Sequence, residues 1–154
     1  MARPKSEVPI TQSLIDRLMD VEQWPETRAA SIGMYRESMK RDLEWLLNTR
    51  QPVIPELESF PATAASVLNF GLPDIHSFDG SAGKEQNALT VALEKCVRTF
   101  EPRINQPRVY LTRSDHLTRS LKFHIEGQVF YENMKEEIKF DTVLELISGE
   151  YEVK

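Results

Sequence analysis

Cysteine is almost missing from this chain: Cys96 is the single one in 154 residues. A lone thiol excludes an intramolecular disulfide and fits a reducing compartment. Long hydrophobic runs are missing as well, and no apolar stretch approaches the roughly 20 residues that cross a bilayer. The opening MARPKSEVPITQ has no apolar centre, so it does not read as a secretory leader. The expectation is a cytoplasmic protein with no direct membrane insertion, with residues 1–12 a flexible or partner-ordered arm and residues 13–154 one domain. Basic charge is in deficit. Lys and Arg total 19 against 24 Asp and Glu, a formal net charge of −5, and nucleic-acid binding needs the opposite balance on at least one face. Also absent are a phosphate-cradling glycine-rich loop, a nucleophile elbow and a zinc-protease signature. The three histidines, His76, His116 and His124, show no ligand spacing, so neither a metal nor a cofactor is expected.

What is present divides into two periodicities. The first part of the chain is helical. TQSLIDRLMD places Leu14, Ile15 and Leu18 at helical spacing, with Thr11 as cap. Pro25 interrupts the pattern at Trp24. A long amphipathic helix is predicted from Ala29 to Leu47, with Ile32, Tyr35, Met39, Leu43 and Leu46 on one stripe. Asn48 stops it, and Pro52 and Pro55 forbid its continuation. TAASVLNFG is short and apolar, with Gly71 able to take the left-handed conformation that closes a helix. Asp79-Gly80 marks a turn, and residues 84–98 carry the cleanest helical stripe: Leu89, Ala92, Leu93, Cys96 and Val97.

Beyond Pro102 the period changes from 3.6 to 2. RVYLTR alternates; SLKFHIEGQVF puts Leu121, Phe123 and Ile125 on one face; IKFDTVLELI puts Ile138, Phe140, Thr142, Leu144 and Leu146 on one face; YEV can follow a Ser148-Gly149 turn. The fold class is therefore α+β, with N-terminal helices packed on a C-terminal antiparallel sheet of three to four strands. The charge is uneven along those strands. Arg103, Arg108, Arg113, Arg119 and Lys122 precede an acid-rich stretch from Glu126 onward, so opposite charges are expected to meet across neighbouring strands.

Chemistry is sparse. Cys96 lies on the apolar stripe of its helix, where a small buried thiol is the ordinary reading, and Trp24 and Trp45 read as core or interface aromatics. Two carboxylates suffice for glycoside hydrolysis, and Asp16, Glu37, Asp42, Glu44 and Glu101 supply candidates. Glu37, Asp42 and Glu44, however, sit among basic neighbours on what reads as a solvated helix face. Glu101 is separated from Arg103 only by Pro102, at the corner between the last helix and the first strand of FEPRINQPRVYL. Either the two charges pair with each other, or a rigid surface corner presents them to a partner. On the second reading Arg103 is surface-held and its truncation costs little stability.

Taken in order, SLIDRL, YRESMKRDLEWLLNTR, SVLNFGLPD, FEPRI and FDTVLELISGEYEV resemble the TssE family, baseplate components of type VI secretion systems. That family is homologous to the small wedge proteins of contractile-tailed phage baseplates and is often labelled lysozyme-like. The resemblance runs from about residue 13 to 153. It implies a fold close to the handshake region of the contractile sheath, and a structural role rather than an enzyme. The partners it implies are the wedge proteins TssF and TssG, TssK beyond them, and the sheath subunits TssB and TssC, with no cofactor. Its Glu-Pro-Arg assembly motif falls on Glu101, Pro102 and Arg103, and the glycine and proline of its LNFGLPD stretch fall on Gly71 and Pro73. An exposed sheet edge, residues 106–114 or 138–153, is where a sheath strand would add. The assembly would stand at the cytoplasmic side of the inner membrane. A peptidoglycan hydrolase, after the family label, and a regulatory adaptor resembling the anti-adaptor IraD are the competing readings.

Overall fold

The change of period at Pro102 is also the main architectural boundary. The computed structural model describes residues 10–19, 25–73, 83–115, 120–131, 134–145 and 148–154. In it the helices α1 (Leu14–Leu18), α2 (Arg28–Asn48), α3 (Pro61–Ala64) and α4 (Gly83–Phe100) precede the strands β1 (Asn105–Asp115), β2 (Ser120–Tyr131), β3 (Met134–Glu145) and β4 (Tyr151–Val153). The strands form one antiparallel sheet in the order β1-β2-β3-β4. The fold is α+β, helices first and sheet last. Backbone contacts divide the chain into Met1–Arg41 and Asp42–Lys154, with the boundary inside α2. Trp24, His76, the Asp79-Gly80 turn, His116 and Leu146 lie outside the described residues.

In the first unit, Ser13 rather than Thr11 caps α1, its Oγ accepting the Asp16 N–H at 3.2 Å. Asp16 is turned inward, 6% exposed, where it accepts from Ser13 Oγ and from Arg41 Nη1, each at 2.5 Å. The helical spacing is right, but the apolar residues face out, with Leu14 68% and Leu18 76% exposed. A five-residue helix is too short to be stable on its own hydrogen bonds. Its orientation follows its strongest anchor, a buried carboxylate that must stay paired. Of the arm expected over residues 1–12, positions 1–9 lie outside the described residues. Ile10 and Gln12 are tied to α2: the Ile10 N–H donates to Ser31 Oγ at 2.9 Å and Gln12 Nε2 to the Ser31 carbonyl at 3.2 Å.

The second unit holds the sheet and its cover. Leu43, Leu46 and Leu47 of α2 and Leu89, Leu93, Cys96 and Val97 of α4 are buried. So are Leu121, Phe123 and Ile125 of β2 and Ile138, Phe140, Thr142 and Leu144 of β3, the alternation that puts one side of each strand inward. Each fully buried aliphatic side chain here contributes about 1.5–3 kcal/mol of transfer free energy. On the outward face Lys139 Nζ meets Glu126 Oε1 at 2.8 Å, with the base on β3 and the acid on β2, the reverse of the order expected from the sequence, and His124 meets Asp141 in the same ladder.

Asn48 does more than stop α2. Its Nδ2 donates to the Tyr151 carbonyl at 2.9 Å and its Oδ1 accepts the Tyr151 N–H at 2.8 Å, so the amide covers the outer edge of β4 as a strand would. Arg50 Nη2 adds a bond to the Gly149 carbonyl at 2.7 Å. The chain passes this segment again about twenty residues later, in the same direction. Arg50 bridges Leu72 in parallel, with the Leu72 N–H on the Thr49 carbonyl at 2.8 Å and the Gln51 N–H on the Leu72 carbonyl at 2.9 Å. Gly71 has the positive φ expected, +112°, but it follows a 3-10 turn over Val67–Asn69 rather than closing an α-helix. Ser66 Oγ caps that turn, taking the Leu68 N–H and ending α3 early. A Cβ on Gly71 would meet the Thr49 carbonyl oxygen at 2.4 Å. Gly71→Ala should therefore cost about 3 kcal/mol from strain and collision together. Urea unfolding measures this, and an unchanged midpoint would show the bridge to be dispensable.

Candidate functional site at the helix-to-sheet corner

Pro102 ends α4 because it can neither donate a helical bond nor fit the preceding turn. Glu101 still donates its N–H to the Val97 carbonyl at 2.9 Å, and the Ile104 N–H closes a turn onto the Glu101 carbonyl at 3.1 Å. The entry into β1 is bulged. Gln106 has φ +50°, and the register with β2 shifts between Asn105 and Arg108, around Pro107. Ile104, 3% exposed, anchors the corner from below. Its room is made by Gly127 of β2, where a Cβ would meet Ile104 Cγ2 at 2.3 Å.

On this frame Arg103 folds back on Glu101. Its Nε donates to Glu101 Oε1 at 2.6 Å and its Nη2 to Glu101 Oε2 at 2.5 Å, a side-on fork, while its N–H reaches Oε1 at 3.3 Å. The same Nη2 donates to Asp42 Oδ2 at 2.6 Å, from α2 and 61 positions away. The side chains are 5% exposed for Glu101, 19% for Arg103 and 21% for Asp42. Burial works against the guanidinium charge, but the hydrogen bonds and charges of Glu101, and then of Asp42, more than offset it and raise the Arg103 pKa. Charge-assisted forked bonds of this kind are the strongest a side chain makes.

Two expectations are thereby corrected. Arg103 is not a surface group that can be truncated at little cost, because the i, i+2 pair is overlaid by α2, which local sequence cannot show. Asp42 is not on a solvated face; it is the third member of the corner. One signal for it existed. Asp42 is three or four positions from Met39 and Leu46, both buried, so it flanks the inward stripe of α2. Glu37 stays exposed, and Asp16 is engaged in the first unit. The two carboxylates that do converge are locked onto one cation that keeps its protons. Glu101 accepts with both oxygens and Asp42 with one from that guanidinium, the geometry of a structural clamp. The arrangement holds charge and geometry.

The remaining candidates sit apart from this corner. Cys96 is buried in α4 and its Sγ donates to the Gly71 carbonyl at 3.2 Å. Burial pushes its thiol from the ordinary 9.0 up to about 12, with the Gly71 bond acting weakly the other way. A reactive cysteine needs the reverse shift. His124 is half-buried on the outer face of the sheet beside Asp141. Trp45 is 50% exposed and is not a core residue. Among the described residues no group of three or more His, Cys, Asp or Glu is placed to hold a metal ion.

The family model described as baseplate wedge protein gp25 matches residues 34–134, well over half of the chain, from within α2 to the start of β3. The match includes Asp42, Gly71 and Glu101–Arg103. A search of curated proteins returns no match.

Arg103→Ala should cost about 3–5 kcal/mol, because it leaves the Glu101 carboxylate buried without its cation. The double change Glu101→Leu with Arg103→Met should cost far less, since it removes the most deeply buried carboxylate together with its cation and leaves only the more exposed Asp42. Urea unfolding of both variants measures this; an Arg103→Ala loss within about 0.5 kcal/mol, the scale of an ordinary surface substitution, would show that the clamp contributes nothing. A second expectation concerns pH. The folded state keeps the Cys96 proton up to about 12, while the unfolded thiol loses it near 9.0. The associated stability is complete below about pH 9 and falls as pH rises toward 12. Tyr151, raised chiefly by burial, acts in the same sense. Cys96→Ala should flatten the decline of the thermal midpoint between pH 9 and 11; an identical slope would contradict it.

Proposed function

This chain belongs to the baseplate wedge protein gp25 family, and we propose that it is the wedge component of a type VI secretion baseplate. In this reading the Glu101-Pro102-Arg103 corner docks onto the wedge proteins TssF and TssG, with TssK beyond them. An open edge of the sheet receives a strand from the sheath subunits TssB and TssC. The role is structural rather than enzymatic, carried out at the cytoplasmic side of the inner membrane. No helix among the described residues is long and apolar enough to cross a membrane.

The observation that carries the reading is the clamp itself, three charged groups from two distant segments inside the family match, arranged for rigidity rather than proton transfer. The state of the sheet edges supports the second half. Asp141 and Glu145 turn their backbone groups toward β4, where Asp141 exchanges bonds of 3.2 and 2.7 Å with Lys154, and the Glu145 N–H meets the Glu150 carbonyl at 3.0 Å. Backbone groups of alternate residues face the same side of a strand, so those of Lys139, Glu137 and Lys135 point the same way. Among the described residues no strand lies beside them. The neighbouring edge at β4 is covered by Asn48 and Arg50. The opposite edge, β1, opens with Pro107 and a bulge, both of which discourage strand addition. We therefore assign the added strand to residues 135–139.

Two variants separate the roles. Glu137→Pro removes an outward-pointing N–H without touching the pairing of β2 with β3, so it should abolish sheath assembly while wedge proteins still co-purify. Glu101→Leu with Arg103→Met should do the reverse, losing the wedge proteins from a folded domain. Normal sheath assembly and unchanged co-purification in both variants would overturn the proposal.

A further inference from the structure

A trough beside α4, within the second unit, is used by neither the hydrophobic core nor the charged corner. It consists of two adjoining concavities of about 320 and 490 Å³ that share a wall including Ala64, Pro73 and Lys95. Ala88, Val91 and Ala92 of α4 line one end, and Val53, Ile54 and Leu57 line the other. Val91 is 67% exposed and Val53 95%, and apolar surface gathered in one open concavity is the mark of a contact site. Polar groups of the walls are bonded within the chain: Asn69 Nδ2 donates to the Ala64 carbonyl at 2.9 Å and Thr99 Oγ1 to the Lys95 carbonyl at 2.8 Å. The charged side chains of the lining are Lys95 and Glu56, both exposed. Neither enters an ion pair or a side-chain hydrogen bond among the described residues. Glu56 has φ +58°, a left-handed conformation uncommon outside glycine, at the entry to the 3-10 turn Leu57–Ser59.

From this we infer that the trough is covered by a second copy of this chain, packed trough to trough about a two-fold axis. In an isologous contact every pairing occurs twice. Lys95 of each copy then meets Glu56 of the other, while Val53 and Ile54 of one cover Val91 of its mate. The trough supplies both halves of this match, an acid and a base that are unpaired and displayed on one apolar surface. A partner carrying charge of a single sign would satisfy one of them and leave the other unpaired beneath it, which is unfavourable. A copy of the chain satisfies both and buries apolar surface at the same time. The pairing concerns the free chain and does not rest on the docking role of the Glu101–Arg103 corner.

The test is sedimentation velocity of the purified full chain, from micromolar to millimolar concentration, at low salt. The parent should pass from monomer to dimer over that range. Lys95→Glu sets acid against acid at both charged contacts, and Glu56→Lys sets base against base, so each alone should weaken the dimer about tenfold or more. Mixed in equal amounts, the two variants should associate again as a heterodimer, because the two-fold arrangement then gives each contact one acid and one base. Val91→Asp, at an exposed position, should weaken the dimer without lowering the urea midpoint of the chain. A parent that stays monomeric throughout overturns the inference. So does a dimer that neither charge reversal weakens, which would place the contact on another face. Loss of the dimer in both variants without recovery in the mixture also overturns it, since the pairing of Lys95 with Glu56 would then be wrong.

Discussion

One guanidinium, that of Arg103, ties together the end of α4, the start of β1 and the last turns of α2. It does so through Glu101 on one edge and Asp42 on the shared nitrogen. The physics of buried charge makes this a strict constraint. A carboxylate as enclosed as that of Glu101 is tolerable only while its cation is present, so the three groups stand or fall together. Neighbouring features read as accommodations to it. Pro102 forces the chain to leave the helix where Arg103 can fold back, Gly127 makes room for Ile104 beneath, and the bulge at Gln106 re-aims the chain into β1.

A second, neutral device closes the other side of the same unit. The Asn48 amide imitates a strand against Tyr151, and Arg50 reaches the Gly149 carbonyl, so β4 is sealed by side chains rather than by another strand. β3 is longer than β4, and the backbone of residues 135–139 extends past that seal. A side-chain seal of this kind limits indiscriminate strand pairing at β4. Rigid paired charge at one corner and a covered β4 edge are devices that hold shape. Membership of the baseplate wedge family agrees with that character.

Much of the architecture was legible because it rests on local rules. The stripe Leu89, Leu93, Cys96, Val97 marked α4, the alternation through Leu121, Phe123 and Ile125 marked β2, and Pro102 marked the junction. Where the reading failed, a distant contact overrode a local one. α1 turns its leucines outward because Asp16 has found Arg41. Gly71 adopts its positive φ for the sake of Thr49, twenty-odd residues back, rather than to close a helix. Asp42 looked solvated because its partner lies 61 positions on.

The sequence by itself determined the order and type of the elements, the buried faces of α4 and of the strands, and the presence of an acid and a base astride a proline at the helix-to-sheet corner. These depend on side-chain periodicity and on backbone restrictions that act over a few residues. Only the tertiary structure decided that this corner is a three-membered clamp, that the β4 edge is sealed by Asn48 and Arg50, and that Trp45 is half exposed. Those outcomes depend on which distant groups share a desolvated space, and the cost of leaving a charge or a backbone polar group unpaired there is what selects them.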